Sequence, residues 1–186
     1  SSDVCSSDLP PCYSPSRRYP VLYLIHGTEF EFGGWVNDGM PRVAEIRMSL
    51  GTLPRFIIVM PSADMRAGDA GKYSWSNGGP DSYGGFLVDE LIPFIDGRYA
   101  TQAVREGRAI GGISRGGYWA IQIAVSNPDK FGVLGAHSPS ITTKLVGVPE
   151  GFSMLSYAQD IEALTRMRIW MDAGDSDWAR YDIEKF

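Results

Sequence analysis

The sequence predicts an α/β domain, a mostly parallel sheet with helices on both faces. Three observations carry this. Short apolar runs without polar alternation recur along the chain, as expected of strands buried on both sides. Segments of helical periodicity lie between them. Glycine-rich turns follow several of the runs, at the sheet edge where such folds place their chemistry. The 186 residues, 44% hydrophobic and 21% charged, suit one medium domain with a core of its own.

The elements follow in order. Residues 1–9 are polar and carry no apolar periodicity. They lack the basic start and apolar middle of a signal peptide. They read as the translation of a sequencing adapter fused to a metagenomic gene fragment and are expected to be disordered, which leaves residues 10–186 as a partial domain. Val21–Ile25 is an apolar strand that ends in His26-Gly27. Pro41–Leu50 reads as a short helix, with Pro early, where its missing N–H costs nothing. Phe56–Met60 is a second buried strand. Residues 62–84 form a polar, glycine-rich loop carrying Tyr73, Trp75 and Tyr83. Gly85–Tyr99 is helical, with Leu87, Leu91, Phe94 and Ile95 on one face and a bend expected at Pro93. Ala109-Ile110 leads into Gly111-Gly112-Ile113-Ser114, and a helix runs from about Gly116 to Asn127. Val133–Ala136 is a strand, Met154–Thr165 a helix and Arg168–Asp172 a further strand. A helix begins at Arg180.

Composition excludes several classes of function. Lys and Arg number 17 against 22 Asp and Glu, a net charge of −5, and no basic cluster could track a phosphate backbone, so no nucleic-acid partner is expected. No apolar run reaches the roughly 18 residues of a membrane span. Cys5 and Cys12, the only cysteines, cannot make a cysteine-rich zinc site or a disulfide framework. No metal or cofactor is expected.

Gly112-Ile113-Ser114-Arg115-Gly116 has the form G-x-S-x-G. The pattern alone is weak, but here a strand precedes it and a helix follows, the setting of a nucleophile elbow. The turn is so tight that side chains two positions either side of the serine would collide. The serine hydroxyl is then lifted above the sheet edge, next to the unpaired N–H groups of a helix N-terminus. His26-Gly27-Thr28 follows the first buried strand. There the Thr28 N–H, together with that of Arg115, would make a two-donor oxyanion hole. Asp172, Asp175 and Asp177 cluster at the end of a late strand. Asp177, in the loop past the strand, is the candidate acid, and Asp175 is second. A calcium site is the competing reading of the three carboxylates, but their spacing lacks the Gly and terminal Glu of an EF-hand loop. No histidine follows Asp177. His26 reads as structural. His137, just past the strand Val133–Ala136, reads as a substrate-contact or loop residue, with a role as substitute base the lesser alternative.

Taken together, the segments Arg18–Gly27, Trp35, Ile57–Pro61, Glu90–Ile95, Arg108–Gly117 and Trp170–Asp177 resemble the putative-esterase family of α/β hydrolases. This group includes feruloyl and acetylxylan esterases, S-formylglutathione hydrolases and the antigen 85 mycolyltransferases. The resemblance implies an α/β-hydrolase fold and a serine carboxylic-ester hydrolase that works through an acyl-enzyme on Ser114. It places the acid on Asp177 and the oxyanion donors on the backbone of Thr28 and Arg115. The base histidine is expected beyond Phe186, with the final strand and helix, and the early strands before Pro10 are expected to be missing, so the 186 residues alone should be nearly inactive. By analogy the substrate is a carbohydrate-linked or other small carboxylic ester, with Trp35, Tyr73, Trp75 and His137 as candidate contacts. An acyltransferase using the same residues and a non-catalytic sugar-binding relative are the alternatives.

Overall fold

The computed structural model describes residues 5–27, 33–62, 83–141 and 160–185. Strands β1 (Cys5–Asp8), β2 (Val21–Ile25), β3 (Ile57–Pro61), β4 (Arg108–Ile113), β5 (Val133–His137) and β6 (Arg168–Asp172) form one sheet in the order β1-β3-β2-β4-β5-β6. All neighbours are parallel except β1, which runs antiparallel to β3. The helices are α1 (Gly34–Asn37), α2 (Met40–Ser49), α3 (Tyr83–Gly85), α4 (Ile92–Arg98), α5 (Arg115–Ser126), α6 (Ile161–Thr165) and α7 (Arg180–Lys185). Among the described residues no helix is long and apolar enough to cross a membrane.

Alternation along the strands divides the core into two layers. Val21, Tyr23, Ile25, Val59, Ile110, Leu134 and Ala136 join α4 and α5 in the larger cluster, around a fully buried Trp119. Leu24, Ile58 and Met60 face the other way, against Ala44 and Met48 of α2. Ile57, Ile58 and Val59 are wholly buried. Burial of such side chains stabilises by about 1.5–3 kcal/mol each, enough to offset the roughly 1–2 kcal/mol per residue lost on fixing the backbone. At the start of β4 the buried Arg108 holds Asp96 of α4 at 2.6 Å, and Asp96 also accepts from Thr101 Oγ1 at 2.7 Å.

Three expectations are corrected. The opening segment is not wholly disordered, because Cys5–Asp8 pairs with Ile58–Pro61 as an edge strand. Its order comes from main-chain pairing to a buried neighbour, and that leaves no apolar pattern in its own sequence. The helix expected over Gly85–Tyr99 is present as α4 in its second half, but its first part, Phe86–Leu91 between α3 and α4, is π-helical. Pro93 has no N–H to donate and crowds the carbonyl four residues before it, which fits a widened turn just upstream. The rotation that follows leaves Phe94 exposed, while Leu87, Leu91, Ile92 and Ile95 are buried. Of the helix expected over 154–165, residues 161–165 are α6 and 154–159 lie outside the described residues.

Candidate active site

Strand β4 runs between β2 and β5 and delivers Ser114 to the carboxyl edge of the sheet, one residue before α5 begins. The Ser114 backbone sits at φ 54° and ψ −118°. L-residues avoid this conformation, so the surroundings must hold it in place. They do so with three hydrogen bonds. The Ser114 N–H donates to the His137 carbonyl at 3.0 Å, and the Ser114 carbonyl accepts from the N–H groups of Tyr118 at 3.1 Å and Ser140 at 3.0 Å. The flanking glycines are required by close approach. A Cβ on Gly112 would lie 2.4 Å from the carbonyl carbon of Gly116, and one on Gly116 would lie 2.3 Å from the Ile25 carbonyl oxygen. Only hydrogen fits at either place, so helix, elbow and β2 are pressed together backbone to backbone.

Among the described residues the hydroxyl partner of Ser114 is the buried Ser140, at 3.3 Å between oxygens. Arg115 opens α5; burial pulls its guanidinium pKa down, with Tyr118 opposing. It remains a cation at neutral pH. His26 is buried, and its Nδ1–H donates to the Gly27 carbonyl at 2.7 Å. That bond fixes the tautomer at Nδ1.

The acidic cluster is divided. Asp172, on β6, accepts from His137 Nδ1–H at 2.6 Å, a hydrogen bond across adjacent strands with the imidazole half-exposed. Asp175 is exposed and bonds Arg180 at 3.1 Å. Asp177 sits in the turn after β6, where Oδ1 accepts from the Ala179 N–H at 2.9 Å and Oδ2 from the Ser138 hydroxyl. Among the described residues no three His, Cys, Asp or Glu side chains converge on a metal site. Trp35 packs against the layer of Leu24, Met48 and Ile58, and its indole N–H is buried without a hydrogen-bond partner among the described residues. Thr28, Tyr73 and Trp75 lie outside the described residues.

The structure therefore brings Ser114, His137 and Asp177 to one sheet edge through the ends of β4, β5 and β6. It also brings in Ser138 and Ser140, which sequence reasoning missed. No motif marks them. The available signal was their place, a small polar run directly after a buried strand at the carboxyl edge of the sheet.

A family model described as "Putative esterase" matches residues 5–183. The chain belongs to that family. Among curated relatives, an esterase of Mycobacterium tuberculosis is 37% identical over 136 residues, 70% of this chain and 27% of that protein. An endo-1,4-beta-xylanase/feruloyl esterase of Xylanibacter ruminicola is 34% identical over 123 residues, 64% of this chain and 16% of that protein. The chain thus spans less than a third of either relative. Among solved structures, a ferulic acid esterase superposes with a TM-score of 0.69 at 24% identity, covering 87% of this chain and 68% of that one. A fluorophosphonate-binding serine hydrolase of Staphylococcus aureus gives 0.73 at 17%, covering 100% and 80%. The esterase family and the α/β-hydrolase fold expected from the motifs both hold, and the named relatives are carboxylic ester hydrolases.

Proposed function

We propose that this chain carries the nucleophile and acid of a serine carboxylic-ester hydrolase acting through an acyl-enzyme. The Ser114 hydroxyl adds to the ester carbonyl and gives up its proton to a base, and collapse of the tetrahedral intermediate expels the alcohol. Water then adds to the acyl-serine, releases the acid and restores the hydroxyl. The oxyanion of each intermediate would accept from the backbone N–H groups of Thr28 and Arg115. Asp177 is the carboxylate that would orient the base. The observation that carries this reading is the backbone of Ser114, held at φ 54° between two glycines that admit no Cβ. A surface turn gains nothing from such a conformation, whereas a serine hydroxyl presented at a strand–helix junction requires it.

The substrate class is a carbohydrate-linked or other small carboxylic ester. It is supported by the names of the relatives, a xylanase/feruloyl esterase and an acetyl esterase. Trp35, half-buried, is a candidate aromatic surface for such a ligand.

Labelling with an alkyl fluorophosphonate, mapped by peptide mass spectrometry, tests the nucleophile. The expected result is slow labelling confined to Ser114 and abolished in Ser114→Ala. Labelling spread over many serines, or absent from Ser114, overturns the reading. Because the hydroxyl partner of Ser114 is Ser140 and not an imidazole, p-nitrophenyl acetate turnover by these 186 residues should fall on the order of 10⁶-fold below a complete triad. Added imidazole should raise it in a Ser114-dependent way.

A further inference from the structure

The turn leaving β5 touches both ends of the proposed machinery. Ser138 has φ 48°, the left-handed region that a serine seldom enters. Its N–H donates to the Asp172 carbonyl at 2.9 Å, and its hydroxyl donates to Asp177 Oδ2. Pro139 is wedged on the first turn of α5, where a Cβ on Gly117 would lie 2.9 Å from the Pro139 Cβ. Ser140 then turns back to the elbow, with its N–H on the Ser114 carbonyl at 3.0 Å and its hydroxyl 3.3 Å from that of Ser114. Just before the turn, the His137 carbonyl accepts from the Ser114 N–H at 3.0 Å. Three consecutive residues therefore join the nucleophile to the acid, which otherwise sit on strands separated by β5.

We propose that Ser138–Ser140 is a strut that fixes the spacing of nucleophile and acid, with Ser140 positioning the hydroxyl of Ser114 and Ser138 positioning the carboxylate of Asp177. The roles given to Ser114 and Asp177 rest on the reading above; the strut itself rests on the hydrogen bonds. Three features make a mechanical role the economical account. Ser138 is strained, and strain persists only where neighbours hold it. Ser140 is buried, so its hydroxyl needs an internal partner. The proline between them limits the freedom of the turn. While the Ser140 hydroxyl bonds that of Ser114, the Ser114 side chain is confined to one rotamer. Full catalysis needs this orientation before any base takes the proton.

The test uses the 186-residue chain and two substitutions. Ser140→Ala removes the hydroxyl partner of Ser114. Ser138→Gly removes the donor to Asp177 and also relieves the strained backbone, so a loss of function cannot be ascribed to lost stability. Side-chain χ1 couplings measured by NMR are the direct readout. The expected result is one rotamer for Ser114 and for Asp177 in the unsubstituted chain. Ser114 becomes rotamer-averaged in Ser140→Ala and Asp177 in Ser138→Gly. Fluorophosphonate labelling of Ser114 should slow at least threefold in Ser140→Ala at an unchanged unfolding midpoint. Single rotamers retained in both variants, or averaging already present in the unsubstituted chain, overturn the strut. If Ser140→Ala fails to fold, Ser140→Cys, similar in volume with a weaker donor, takes the same measurement. Failure of any labelling at Ser114 in the unsubstituted chain overturns the nucleophile reading instead, and the rotamers still decide the strut.

Discussion

At Ser114 the angles φ 54° and ψ −118° lie outside the basins that an L-side chain enters freely. Holding a residue there costs about 1–3 kcal/mol, offset by the hydrogen bonds to His137, Tyr118 and Ser140. Glycine enters such conformations without that cost. Compared with Ser114→Ala, which loses the same hydroxyl, Ser114→Gly should therefore raise the unfolding free energy by about 1 kcal/mol, and both should abolish fluorophosphonate labelling. Urea denaturation and labelling on the same sample check it, and a loss of stability relative to Ser114→Ala would show that Ser114 is not strained. The glycines are not equivalent either. A Cβ on Gly116 meets the backbone oxygens of Ile25 and His26 at 2.3 and 2.5 Å, whereas one on Gly135 meets nothing within 4 Å among the described residues. Backbone cannot yield as a flexible side chain can. Gly116→Ala should thus destabilise by about 3 kcal/mol or more, and Gly135→Ala, in β5, should be neutral or stabilise by up to about 1 kcal/mol.

Strand β1 is the element whose stability depends most clearly on pH. Burial raises the pKa of the Asp8 carboxyl, the charge of Glu45 raises it further, and a backbone hydrogen bond from Leu9 lowers it in part. A carboxyl whose folded pKa lies above its unfolded value, about 3.9 for Asp, favours the fold when protonated. That contribution is complete below the unfolded value and is lost as pH rises through the folded one. Asp8→Asn should remove this slope. Unfolding midpoints of the two proteins followed upward from about pH 4 should diverge, the unsubstituted chain falling relative to the variant, and parallel curves would refute the assignment. The elements also differ in how far their sequences announced them. Val21–Ile25 was legible as an uninterrupted apolar run, Arg168–Asp172 by its apolar centre Ile169–Met171, and α5 as the segment between the G-x-S-x-G turn and Pro128. Strand β1 was not, because main-chain pairing to β3 orders it and leaves no mark in side-chain pattern. The π-helical stretch before Pro93 was foreseen as a bend but not as a change of helical register. At the candidate site, Ser114 and Asp177 could be singled out in the sequence because the G-x-S-x-G turn and the acidic cluster after a strand mark them. Ser138 and Ser140 could not be, because their partners lie 39 and 26 residues away, respectively.

For the whole molecule, helix cover of the sheet is uneven. The layer of α4 and α5 covers one face, and α2 packs over β2 and β3 on the other. Register places Val133, Gly135 and His137 beside Arg168, Trp170 and Asp172, on the same face as α2. Outermost strand β6 exposes side chains on both faces, Ile169 at 54% and Trp170 at 59%. Its outer edge has no strand partner among the described residues. An exposed apolar edge strand is a template for pairing with another chain. Trp170→Lys should lower concentration-dependent association in sedimentation velocity while changing stability by no more than about 0.5 kcal/mol. Equal association of the two proteins would place the contact elsewhere. The handling of these 186 residues is set by that margin. A net charge of −5 keeps dilute molecules apart, but salt screens that repulsion without weakening apolar or main-chain attraction. Preparations should therefore cloud sooner in concentrated buffer, with growth starting from the rim farthest from β1.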